Sequence, residues 1–129
     1  MRRGERGSAT LVAVIVCGVV VVLSLALAEA TILAGDRVAA QTAADAAALA
    51  AAPATFPVLR SGTPEDAARR FAAANGARLV ACECRVESRP VARTVRVVVE
   101  RIRDVPLWGR VAVRAGASAE FDPVAALGP

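Results

Sequence analysis

Few residues in this chain have the types and spacing to do chemistry. Cys82-Glu83-Cys84 is the most reactive-looking group, two thiols flanking a carboxylate. An exported protein can hold disulfides. On an extended strand, however, positions i and i+2 carry parallel Cβ vectors near the upper end of bridgeable Cα separations, so a bond between these two is expected to be strained. The reading is therefore two small apolar residues on the buried face of a strand, with an intermolecular bridge as the alternative. Histidine is absent, which removes Ser-His and Cys-His nucleophile pairs and any imidazole ligand. No further ligands stand beside the two thiols to complete a metal site. Glu65-Asp66 fits helix capping, and the glycines form no phosphate-cradling loop after a strand. The residues therefore point away from an enzyme and away from a cofactor.

A second set of residues suits assembly instead. Arg37, Gln41 and Asp45 recur every fourth residue and make one narrow polar stripe on a helix. Ala39, Ala43, Ala47 and Ala51 form a smooth row beside it, as do Ala40, Ala44, Ala48 and Ala52, and Ala26, Ala30 and Ala34 extend the pattern backward. Small side chains let another helix or sheet approach the backbone closely, so these rows are candidate contact surfaces for a partner helix and for self-association. Alanine also reports plain helix propensity. Glu29 is read as an interfacial carboxylate reaching water, or as half of a charge pair with a neighbouring subunit's basic group.

The element that must position these residues begins with Thr10 to Ala28, an uncharged run preceded by Arg2, Arg3 and Arg6. As a helix it is about as long as the ~30 Å hydrocarbon core of a bilayer. The arginine excess on its leading side places the N-terminus in the cytoplasm and everything past Glu29 outside the cell membrane. A cleavable secretory signal is the alternative, because Ala26-Leu27-Ala28 and Ala28-Glu29-Ala30 both fit the cleavage pattern. Helix-compatible sequence continues without proline to Ala52, where Pro53 supplies a stop.

Residues 29–129 remain beyond the apolar run, enough for one small domain. Residues 53–62 read as a loop. Thr63-Pro64-Glu65-Asp66 reads as a helix start and Asn75-Gly76 as its end. Three strand-like segments follow. The first puts Val80, Cys82, Cys84 and Val86 on one face. The second, Val91 to Ile102, puts Val95, Val97 and Val99 inward with Thr94, Arg96 and Glu100 outward. The third alternates from Arg110 and Val111 to Phe121. The C-terminal residues are expected to fray. All 16 basic residues are arginine, interspersed with 12 acids, and aromatic content is 3%. The high pI, about 10.1, thus describes a solvated charged face and not a nucleic-acid surface.

The expected architecture is α+β: a long N-terminal transmembrane helix continuing outside the membrane, then a short helix and a small antiparallel β-sheet. Residues 1–7 form a basic leader, 8–52 the helix and 53–129 the external domain.

Arg6-Gly7-Ser8-Ala9-Thr10, the apolar helix, and the segment Gln41-Thr-Ala-Ala-Asp45-Ala-Ala-Ala-Leu49 resemble the N-terminal region of the TadE and TadG-like proteins of Flp (tight adherence) pilus assembly. The whole layout is similar to the short single-pass TadE-like proteins of actinobacteria. The resemblance implies a minor pilin or pseudopilin held in the bilayer, with other Tad-type pilus or secretion subunits as partners. It also implies cleavage after Gly7, leaving Ser8 first, although Val12 stands fifth after that cut where the pattern has glutamate. Glu29 lies about where TadG-like members often carry an aspartate. A membrane-tethered accessory that does not polymerise, and a secreted domain, are the competing readings.

Overall fold

The computed structural model describes residues 5–59, 62–106 and 108–128, with the side chains of residues 5–7 excepted. The order of elements is α1 (Glu5–Ala54), α2 (Pro64–Ala74), β1 (Arg78–Glu83), β2 (Arg93–Val105), β3 (Gly109–Phe121) and α3 (Pro123–Leu127). Two compact units divide the chain, Met1–Ala34 and Gly35–Pro129.

In the first unit the large apolar residues of α1 face outward. Leu11, Ile15, Val19, Val22 and Leu27 are all exposed, and by length and composition this is the one helix among the described residues able to cross a membrane. Its hydroxyls are satisfied within the helix: Ser24 Oγ donates to the Val20 carbonyl at 2.8 Å and Thr31 Oγ1 to that of Ala28 at 2.7 Å. Such internal pairing is what a helix in hydrocarbon requires. A candidate span near the N-terminus fits a single-pass membrane protein. Of the expected leader, residues 1–4 lie outside the described residues, and Gly7 and Ser8 fall within α1.

The second unit is an α+β layer pair. Its sheet is antiparallel in the order β1-β2-β3, with Val97 opposite Cys82 on one side and Ala117 on the other. Val95, Val97 and Val99 point inward and pack against Ala43, Ala44, Ala47, Ala48, Ala51 and Ala52 of α1 and Ala68 and Ala72 of α2. Three valines thus supply most of the bulk, and two alanine faces let the helices settle close to the sheet.

α2 begins as the sequence suggests. Thr63 caps it by accepting from the Asp66 amide at 3.1 Å, Pro64 occupies the first turn, and Arg69 pairs with both Glu65 and Asp66. It ends in a Schellman arrangement: the Ala77 amide donates to the Ala72 carbonyl and that of Gly76 to Ala73, both at 2.9 Å. Gly76 has φ +69°, the left-handed geometry this closure needs. Phe71 faces solvent, and alanines form the buried side.

Several expectations are corrected. α1 includes Pro53 in its last turn, where Thr55 and Phe56 amides close the end onto the Ala52 and Pro53 carbonyls. Register shifts between Leu79 and Ala81, so Leu79 packs on the core while Val80 and Val86 are exposed. The C-terminal residues form a short helix capped by Asp122, whose carboxylate accepts from the Val124 amide at 2.9 Å, and Pro123 is buried.

Candidate functional site: the solvent face of the outer helix and the ion pairs beneath it

Between Gly35 and Ala54, α1 shows two unlike faces. The expected contact residues Ala43 and Ala47 are fully buried against this chain's own sheet, together with Ala44, Ala48 and Ala51, and Ala40 is buried as well. The surface expected to receive a partner helix is therefore occupied by β2. The same physics applies, since small side chains admit close approach, but the occupant is internal.

What remains open is the rest of that helix's circumference, from the margin beside β3 outward. Arg37, Gln41, Asp45 and Leu49 are exposed, Leu49 to 68%, and Val38 beside them to 69%. The structure draws two of the polar residues together, because Gln41 Nε2 donates to Asp45 Oδ1 at 3.0 Å and to the Gly116 carbonyl of β3 at 3.2 Å. Arg37 and Leu49 flank this pair along the stripe. Glu29, in the first compact unit, is half-buried.

Sequence reasoning missed the ion pairs on the covered face. Arg101 and Arg103 continue the inward register of Val95, Val97 and Val99, and both meet Asp36 of α1, Arg103 at 3.4 Å and Arg101 at 3.9 Å. Asp36 is only 5% exposed. Arg101 Nη1 also donates to the Asn75 carbonyl at 2.8 Å, so one guanidinium ties β2 to α1 and to the end of α2. The signal was available: an alternation that continues from valine into arginine calls for an acid on the covering helix.

On the open face Glu100 lies outward as expected, yet it is 6% exposed. Its cross-strand neighbours on both sides are arginines, and they close over it, Arg78 at 2.5 Å and Arg114 at 2.9 Å. The hydrogen bond from Arg78, then that from Arg114, hold the Glu100 carboxyl below the ordinary glutamate range, against the opposing effect of desolvation. Further along this face a shallow depression of about 290 Å³ is lined by Arg96, Val98, Gly116 and Ser118.

Arg93 organises the chain before β2. Its guanidinium lies 5.7 Å from the ring centroid of buried Phe56 and donates to the carbonyls of Thr55 at 3.1 Å, Glu87 at 2.6 Å and Arg89. Cys82 and Cys84 are joined in a disulfide, which replaces the expected pair of separate thiols. β1 ends at Glu83, so Cys84 leaves the extended run and the Cα atoms stand 5.3 Å apart, inside the ordinary range for a bridge.

No family model, curated protein or solved structure matches this chain.

Proposed function

We propose that this chain is a single-pass membrane protein, N-terminus in the cytoplasm and C-terminal domain outside, that serves as a minor pilin- or pseudopilin-like structural component of a Tad/Flp-type pilus or secretion apparatus. The observation that carries the reading is α1 itself, one helix of 50 residues whose early part is apolar and exposed and whose later part forms the floor of a three-stranded sheet. The segment from Gln41 to Leu49 that resembles the TadE and TadG-like pattern lies in that floor.

In this reading the alanines hold the domain together, and contact with neighbouring subunits passes to the exposed stripe of Arg37, Val38, Gln41, Asp45 and Leu49. The charge spacing sets register and the two aliphatic side chains supply apolar contact. One observation favours the alternative, a tethered accessory that does not polymerise: Ala43 and Ala47, the residues best suited to close helix packing, are already covered. A photocrosslinking residue at Leu49, in cells that also express the pilus machinery, tests between them. Crosslinks to other pilus subunits, absent when the same residue replaces exposed Phe71, support a structural component. Crosslinks from neither position favour the accessory.

A further inference from the structure

The two edges of the sheet are unlike. β1 closes one edge with only six residues, and its register shifts between Leu79 and Ala81, two features that discourage a further strand from pairing there. β3 forms the other edge with 13 residues, Gly109–Phe121, each opposite a residue of β2 without a shift. No proline, lysine or bulge interrupts it. Gln41 shows which backbone groups face outward, because its Nε2 donates to the Gly116 carbonyl and that carbonyl therefore turns away from the ladder with β2. Backbone groups alternate sides along a strand, so the even-numbered residues from Arg110 to Glu120 present their amides and carbonyls to the same outer edge.

An edge of this kind accepts a strand through main-chain pairing, and the side chains of β3 select which strand. Placed antiparallel to a second copy of itself about a two-fold axis at Ala115, β3 overlaps its partner over the whole of Gly109–Phe121. Val111 then lies opposite Ala119, Val113 opposite Ala117 and Ala112 opposite Ser118, all small or branched residues that fit a pleated surface. The parity is correct, since the even-numbered residues face one another and would exchange roughly twelve main-chain hydrogen bonds, two for each directly bonded pair. The charges select the same register. Arg110 lies as far before Ala115 as Glu120 lies after it, so an arginine meets a glutamate at both ends of the junction. Glu120 makes no ion pair among the described residues, and Arg110 has an exposed contact with Asp104 at 3.6 Å that leaves it room for a second carboxylate. A centre at Ala117 would set Glu120 against Arg114 instead, but Arg114 already holds Glu100 at 2.9 Å, and the first residues of β3 would be left unpaired.

We propose that β3 is a self-association edge, through which two copies of the 35–129 unit join their three-stranded sheets into one continuous antiparallel sheet centred on Ala115. Gln41, which is exposed, yields the Gly116 carbonyl to the incoming strand. Self-association thereby passes from the buried alanines of α1 to the sheet. The pairing needs only this unit, so it goes beyond the pilus reading and holds or fails apart from it. Full-length protein in detergent micelles, in a Cys17→Ser background that leaves the Cys82–Cys84 bond in place, is oxidised with copper phenanthroline after Ala115→Cys or, for comparison, Ala73→Cys on the exposed side of α2. At the two-fold axis the Cα atoms of a pair outside the hydrogen-bonded set stand ~4.5 Å apart, close enough for a bridge. The expected result is a covalent dimer from Ala115→Cys in clear excess over Ala73→Cys. A second measurement, sedimentation equilibrium in density-matched detergent, needs no added cysteine. Arg110→Glu or Glu120→Arg sets like charges opposite each other at both ends and should weaken dimerisation about tenfold, and combining the two substitutions should restore it. Absence of an Ala115→Cys excess, together with a wild-type protein that sediments as a monomer, overturns the proposal. A dimer that neither single charge reversal weakens overturns it as well, because the contact then lies elsewhere.

Discussion

Replacing Ala47 with Leu separates an internal from an external use of the alanine face. Ala47 is fully buried, and so are Ala43 and Ala51 one turn away on either side, so added carbons have no path to solvent along the row. A helical leucine leans toward the N-terminal turn, here onto Ala43 and Ala44, within the cluster that the inward valines of β2 close. Three added carbons would gain roughly 2.4 kcal/mol if room existed, at ~0.8 per buried methylene. In a closed interface overpacking dominates, at about 1–3 kcal/mol of destabilisation. Hydrogen exchange of the β2 amides in the full-length protein, followed by mass spectrometry, should therefore accelerate roughly 5- to 150-fold. Leu49→Ala on the exposed side serves as the comparison and should leave exchange close to wild type. Unchanged β2 protection in Ala47→Leu, accompanied by lost association between subunits, would refute the internal role and restore the alanine row as a partner surface.

Gly76→Ala should cost about 1–2 kcal/mol in a urea titration of the domain, because φ is +69° and a Cβ would stand 2.9 Å from Arg101 Nη1. Asparagine at the same place should be milder. Glu100 is held below its ordinary pKa by Arg78 and Arg114, so its stabilising contribution is fully present above its unfolded pKa of about 4.3 and fades as pH falls through the lower folded value. Denaturation midpoints across pH 7 to 3 should show that loss, and Glu100→Gln should flatten it. For Cys82 and Cys84, peptide mapping without reductant should find them linked within one chain, and a nonreducing gel should show no dimer through these residues.

The valine alternation of β2 was legible because three inward branched residues at a period of two leave little freedom of register. The capping of α2 was legible too, since Thr63, Pro64 and Gly76 each have a local backbone reason to be where they are. The irregularity in β1 was not, since no glycine or proline marks the step between Leu79 and Ala81, and that single step exchanges Val80 for Leu79 on the core side. A separate departure from regular extension, the end of β1 at Glu83, accounts for Cys82 and Cys84, whose pairing depends on where the strand stops. For α1, residue type alone could not say which neighbour its alanines meet, because a partner helix and the chain's own sheet ask for the same small side chains. Asp36 was visible only as a charge. Its meaning depends on Arg101 and Arg103 arriving from more than sixty positions away.

The most direct test of the account is the mature N-terminus of the protein recovered from fractionated cells. A chain that stays in the membrane fraction through alkaline extraction and begins at Met1 or Ser8 is the predicted result, with Ser8 in a sheared surface fraction marking the pilin-like route. A water-soluble chain beginning at Glu29 or Thr31 in the medium would contradict it, because the apolar segment would then be a discarded signal and not an anchor.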